Sequence, residues 1–207
     1  LGGKSPNIVF ADADLDAAAK GMFMGIFYNQ GQCCSAGSRV YVERPKFEEM
    51  VAALAERAKT VKLGPGLDPK SRMGPLISQE QLDRVLSYVE SGSQQGAKLL
   101  CGGQRAAGEL AKGYFVSPTV FSGVADEMKI AQEEIFGPVV AVMPFDSEEE
   151  ILRRANGTPY GLVAGVWTKD IKRAMRMSQE LKAGTVWLNC YHFVDAAKAL
   201  VEFKGVH

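Results

Sequence analysis

Apolar residues along this chain recur at helical spacing in some stretches and in short unbroken runs in others, and the two kinds alternate. Leu15, Ala18, Ala19, Met22, Phe23, Ile26 and Phe27 form one stripe of period 3.6. It predicts a helix for which Asp12 and Asp14 offer caps, and which stops at Asn29-Gln30-Gly31. Phe47, Met50, Val51, Leu54, Ala55 and Ala58 predict a second helix. A capping box, Ser78-Gln79-Glu80-Gln81, precedes a third carrying Leu82, Val85, Leu86 and Val89. Residues 125–132 read as a short helix. Ser147-Glu148-Glu149-Glu150 opens the next, closed by Asn156-Gly157, and Ile171, Ala174, Met175 and Ser178 line the last.

The short apolar runs between them read as strands: 5–11, 38–43, 97–101, 114–121, 139–145, 161–168 and a buried 185–188. In 38–43, Val40 and Val42 share one face and Arg39 and Tyr41 the other. Pro118 interrupts 114–121, which places that strand at an edge. Residues 62–77, rich in Gly and Pro, read as an ordered loop anchored by Leu63, Leu67, Met73 and Leu76. Strands alternating with helices predict a single α/β domain, a mostly parallel sheet with helices on both faces. Neither G-x-G-x-x-G after a strand nor G-x-x-x-x-G-K-[ST] occurs, so this stretch carries no nucleotide-binding motif of its own.

Charge narrows the function classes. Twenty-four basic and 24 acidic residues cancel, so no global field favours nucleic acid or an anionic membrane. No apolar run reaches bilayer length and no signal-peptide pattern is present. The chain opens on Leu1 rather than Met, which suggests a piece of something longer. Cysteines at 33, 34, 101 and 190 have neither a disulfide framework nor a C-x-x-C metal spacing, which points to a reducing, cytoplasmic setting. The only histidines, His192 and His207, lie at the far end, so a general base for a thiol near residue 34 is expected to be a carboxylate or water.

Candidate chemistry concentrates in Asn29-Gln30-Gly31-Gln32-Cys33-Cys34-Ser35-Ala36-Gly37-Ser38-Arg39, a loop between helix and strand. Backbone N–H groups and small neighbours suit a cysteine nucleophile, whose thiolate needs local dipoles and an open approach. The alternative is a buried structural cysteine, a common fate of a free thiol.

Five separated blocks together resemble the aldehyde dehydrogenase superfamily. They are Leu1-Gly2-Gly3-Lys4-Ser5-Pro6-Asn7, Asn29-Gln30-Gly31-Gln32-Cys33-Cys34, Glu133-Glu134-Ile135-Phe136-Gly137-Pro138, Pro159-Tyr160-Gly161-Leu162 and Gly184-Thr185-Val186-Trp187-Leu188-Asn189. The resemblance implies that residues 1–190 form that family's catalytic domain, that its N-terminal cofactor domain would precede Leu1, and that 191–207 are a divergent tail. It makes Cys34 the nucleophile and Cys33 an accessory or packing residue. Glu134 becomes the carboxylate for the nicotinamide ribose hydroxyls, or else a solvated helix end; Phe136 the apolar neighbour of the nicotinamide, or else a core anchor. Gln81 becomes a polar contact to the same ribose, or a capping residue only, and Leu1 and Gly2 lie beside the nicotinamide amide.

The implied cofactor is NAD or NADP, held mainly by the upstream domain; no metal is implied. The implied substrate is an aldehyde, and the parent is expected to be a homo-oligomer. Cys34 would attack the aldehyde carbon, giving a thiohemiacetal and, after hydride transfer, a thioester for a carboxylate-activated water to cleave. Two departures bear on this. The family's general base immediately precedes the Leu-Gly-Gly block, and residues 191–207 lack its Pro-Phe-Gly-Gly-like segment at the substrate entrance. The isolated 207-residue chain is therefore expected not to turn over. The other readings are a Cys34 thiol esterase and a non-catalytic truncated scaffold or subunit.

Overall fold

The computed structural model describes residues 2–192. Seven strands form one sheet in the order β3-β4-β5-β2-β1-β6-β7. They are β1 (Pro6–Val9), β2 (Arg39–Glu43), β3 (Lys98–Cys101), β4 (Thr119–Ser122), β5 (Val139–Phe145), β6 (Val163–Trp167) and β7 (Thr185–Leu188). Every neighbouring pair is parallel except β3 with β4. The helices are α1 (Leu15–Phe27), α2 (Phe47–Lys59), α3 (Gln79–Gln94), α4 (Lys129–Gln132), α5 (Glu148–Ala155) and α6 (Ile171–Glu180).

Period-two alternation in the strands divides the core. Val40 and Val42 join Val140 and Val142 under α1 and α2, which contribute Met22, Ile26, Met50 and Leu54. Tyr41 joins Met143 and Phe145 on the opposite face, beneath Leu82 and Val85 of α3 and Met177 of α6. Burial on both faces explains why the strands read as continuous apolar runs.

Several expectations need correction. Residues 114–121 do not form an edge strand: β4 starts only after Pro118, at Thr119, and lies between β3 and β5. Pro118 lacks an N–H and precedes the ladder, where none is needed. The edges are β3 and β7, so the strand at 185–188 is half-buried rather than buried. Leu67 anchors nothing, being 99% exposed, whereas Met73 and Leu76 are buried. In α6 the buried face is Ala174 and Met177, and Ile171 and Met175 face solvent. The helix expected over 125–132 shortens to α4. Asp14 caps α1 by accepting the Ala17 N–H. Asp12 instead accepts the N–H groups of Lys169 and Asp170 and pairs with Arg173, tying β1 to the start of α6.

Two cations are buried, one at the start of β2 and one just before β1. Arg39 is 1% exposed and donates to the carbonyls of Lys4 (2.7 Å), Arg154 (3.2 Å) and Ala155 (2.8 Å) and to the Tyr41 hydroxyl (3.2 Å). Its fork thereby ties the segment before β1 to the end of α5. Lys4 is equally buried, and among the described residues its Nζ has no hydrogen-bond partner. Burial, with Arg39 nearby and only partly offset by Glu134 and Glu133, pushes the Lys4 ammonium down to about 7.

That shift has a sign in stability. From about pH 7 to the ordinary lysine value, the unfolded chain holds a proton that folded Lys4 has lost, so this group's contribution to stability rises with pH. Urea midpoints at about pH 7 and about pH 9 should show Lys4→Met gaining most over the native chain at the lower pH. The gap should close by at most roughly 1.4 kcal/mol per pH unit. A pH-independent gap would show that Lys4 does not titrate in this window.

Candidate active site

The candidate residues meet at the amino ends of β1, β2 and β5, which the register holds side by side: Pro6 opposite Arg39, and Arg39 opposite Ala141. Ligands in open α/β sheets usually bind at the carboxyl ends of strands, so this site lies at the other end. Three approach segments converge there: residues 2–5, 28–38 and 133–138.

The loop that carries Cys33 and Cys34 leaves α1 through a short turn, Tyr28–Gly31, in which Asn29, Gln30 and Gly31 all have positive φ (48°, 58° and 69°). A side chain at Gly31 would overlap the Gly137 carbonyl, so this loop and the start of β5 touch backbone to backbone. A Cβ at Gly3 would likewise overlap the Cys34 carbonyl oxygen, and one at Gly2 the Glu134 carboxylate. The Gly3 N–H donates to Glu134 Oε1 at 3.1 Å. Neither has positive φ, so glycine serves for space: at Gly3 against backbone, at Gly2 against the end of a side chain.

Cys34 is exposed and Cys33 half-buried, and no disulfide joins any of the four cysteines. The turn closes through Ala36 N–H to the Cys33 carbonyl (3.0 Å), and Gly37 N–H reaches the Gly25 carbonyl in α1 (3.0 Å). Gln32 Oε1 accepts the Ile77 N–H at 3.0 Å, which attaches the 62–77 loop to this site.

On one side of the Cys33–Cys34 loop, beside Cys33, lies a ledge made by residues 133–137. Gln81 Nε2 donates to the carbonyls of Ile135 (3.0 Å) and Phe136 (2.7 Å), and Arg84 to that of Glu134 (2.7 Å). Tyr88 donates to Glu133 Oε2 at 2.7 Å, and burial with this bond pushes the Tyr88 phenol up to about 12. One polar face of α3 therefore holds the ledge, on which Phe136 is exposed at φ 57°. Ser78 Oγ accepts the Gln81 N–H as a capping box requires, yet the Gln81 side chain crosses to the ledge. Its capping half is thus corrected: two carbonyls fixed by tertiary packing take its amide hydrogens.

On the other side lies a cavity of about 520 Å³ lined by Met24, Tyr28, Cys33, Ser35, Trp187, Tyr191 and His192. Tyr191 donates to the Ser35 carbonyl (2.9 Å), and His192 Nε2 lies 2.9 Å from Ser35 Oγ and 3.1 Å from the same carbonyl. Ser35 Oγ is in turn 3.2 Å from Cys33 Sγ. Burial holds the His192 imidazole below its ordinary range, partly opposed by that carbonyl.

The structure therefore assembles Cys34, Gly2, Glu134, Phe136 and Gln81 around one loop. Leu1 lies outside the described residues, as do His207 and most of the tail expected at 191–207. Sequence reasoning missed Gly3, Ser35, Trp187, Tyr191 and His192. The two histidines lie far from Cys34 along the chain, and the fold brings His192 onto the residue after Cys34, bonded to Ser35. The signal available was Trp187-Leu188-Asn189-Cys190-Tyr191-His192, which places three ring-bearing side chains within six residues. Among the described residues no group of three or more His, Cys, Asp or Glu side chains could hold a metal. None of the described helices is long and apolar enough to cross a membrane.

The loop that carries the exposed Cys34 thus borders an apolar cavity through Cys33 and Ser35, and a ledge bearing a carboxylate and an aromatic ring through Cys33. The aldehyde dehydrogenase family model matches residues 1–207, and the chain belongs to this family. It is 53% identical over 204 residues to aldehyde dehydrogenase 1A1 of Gallus gallus, covering 99% of this chain and 40% of that protein. It is 50% identical to retinal dehydrogenase 2 of Homo sapiens, covering 99% of this chain and 39% of that one. The NAD+ complex of an aldehyde dehydrogenase from Bacillus cereus superposes with a TM-score of 0.92 at 56% identity, over 95% of this chain and 40% of that one. The chain spans about two-fifths of the length of the curated relatives it matches.

Gly3→Ala tests the backbone contact. The obstacle is the Cys34 carbonyl rather than a flexible side-chain end, so the loop must move. A loss of about 1–3 kcal/mol in urea unfolding is expected, together with a changed rate of Cys34 alkylation. An unchanged rate would show that residues 2–5 and the thiol loop are independent.

Proposed function

We propose that this chain is the nucleophile-bearing catalytic part, residues 1–190, of an NAD(P)-dependent aldehyde dehydrogenase, with 191–207 as its tail. The observation that carries this is the exposed Cys34 thiol on a loop that borders the apolar cavity through Cys33 and Ser35, and whose Cys34 carbonyl lies against Gly3, itself bonded to Glu134 of the ledge. Cys34 is the nucleophile. The aldehyde enters from the cavity, and attack on its carbonyl carbon places negative charge on oxygen near the Cys34 N–H. The thiohemiacetal so formed becomes a thioester on loss of hydride, and water then releases the acid.

The fit to a nicotinamide nucleotide rests on the Glu134 carboxylate, held against Gly2 and Gly3 by the Gly3 N–H, and on the exposed Phe136 ring two residues on. NAD(P), when bound, supplies the hydride acceptor. Glu134 would hold its ribose hydroxyls, Phe136 would lie against the ring, and Leu1 and Gly2 would offer backbone groups. Gln81 would act on the same group through the ledge carbonyls it supports. Four free thiols support a reducing, cytoplasmic setting. The half-buried edge strand β7 supports assembly of the parent into a homo-oligomer.

Acylation by p-nitrophenyl acetate tests the nucleophile without a hydride acceptor. One acyl group per chain should appear on Cys34 by mass spectrometry, and none there in Cys34→Ala. In a longer parent, Cys34→Ala should lower aldehyde-dependent NADH formation by about a thousandfold or more. Acyl groups spread over Cys33, Cys101 and Cys190 would sink the assignment; sustained ester turnover without aldehyde oxidation would favour the thiol esterase.

A further inference from the structure

Tyr191 occupies a socket made by three glycines that are far apart in sequence. A Cβ at Gly25 in α1 would lie 2.8 Å from its ring, one at Gly37 in the nucleophile loop 3.1 Å, and one at Gly165 in β6 2.6 Å. None of the three has positive φ, so glycine provides space there rather than an unusual backbone. Glycine inside a helix or strand weakens it, and at Gly25 and Gly165 the room so created is filled by one ring. That ring is 8% exposed. Its hydroxyl ends on the Ser35 carbonyl, which His192 Nε2 also approaches. Burial holds the phenol well above its ordinary range, so it remains a donor.

Resting on the reading of Cys34 as the nucleophile, we infer that Tyr191 is a positioning residue. By fixing the Ser35 carbonyl from a rigid socket, it sets the 33–36 turn and with it the direction of the Cys34 N–H and thiol. Ser35 directly follows Cys34, and the turn's other ties, Ala36 to Cys33 and Gly37 to Gly25, leave that carbonyl to Tyr191 and His192. Socket, hydroxyl and turn form one mechanical unit in which a small displacement reaches the reacting atoms.

Tyr191→Phe keeps the ring and removes the hydroxyl. Two readouts are needed on this chain: amide exchange at Ala36 and Gly37, and the ratio of Cys34 acylation by p-nitrophenyl acetate to its alkylation by iodoacetamide. Only acylation passes through an oxyanion that depends on the direction of the Cys34 N–H. Faster exchange at the turn and a ratio lowered about tenfold are expected, with the fold retained by melting. Gly37→Ala, which presses on the ring from the loop, should move the ratio the same way. Unchanged exchange would show that Tyr191 does not hold the turn. Faster exchange with an unchanged ratio would reduce it to a structural role, and either result overturns the inference. If native Cys34 takes no acyl group at all, the nucleophile reading itself fails, and this inference with it.

Discussion

Backbone approaching backbone, without side chains between, is the constraint on which this molecule depends. The segments before β1, β2 and β5 meet at Gly3 and Gly31, where a Cβ would overlap the carbonyls of Cys34 and Gly137. Parallel pairing sets the three strands side by side, so their approach segments must emerge together. Residues larger than glycine would hold them apart. The thiol loop, the carboxylate ledge and the segment before β1 would then stand as separate surface loops.

Buried charge supports the same junction from beneath. Arg39 begins β2 directly behind the thiol loop, and its guanidinium satisfies the Lys4, Arg154 and Ala155 carbonyls. A buried guanidinium is tolerable only where acceptors surround it, and leaving it unpaired would be strongly destabilising. Lys4 meets the same environment differently. An ammonium can discharge its proton where a guanidinium cannot, and the depressed Lys4 value reflects that difference. The outward side of the site is held by α3, whose Gln81, Arg84 and Tyr88 all reach the 133–137 turn. One helix thus buries Leu82 and Val85 while its flank positions the ledge.

The site gathers elements from the centre and from the edge of the sheet. The cavity wall includes Trp187 on the half-buried edge strand β7, and Tyr191 and His192 just beyond it. The thiol loop is anchored between two central strands. The cavity thereby joins a central element to an edge element, and the Tyr191 ring packed on Gly25, Gly37 and Gly165 ties the two together.

The sequence by itself determined most of the layering, because helical and strand periodicities are local and both faces of a parallel sheet demand apolar residues. The stripe of α1, the alternation of Val40 and Val42 against Tyr41, and the Ser78 and Ser147 caps were all legible in it. Cys34, Glu134 and Gly2 were legible as motif blocks, since their spacing lies within short stretches. Only the tertiary structure decided that Gln81 turns to the ledge instead of its own helix end, and that β4 lies inside the sheet. It alone brought Tyr191 and His192 to Ser35, 156 and 157 residues away. The physical reason is common to all three. Each outcome depends on which distant carbonyl, strand or glycine-made space lies opposite, and no local pattern records its partner across the fold.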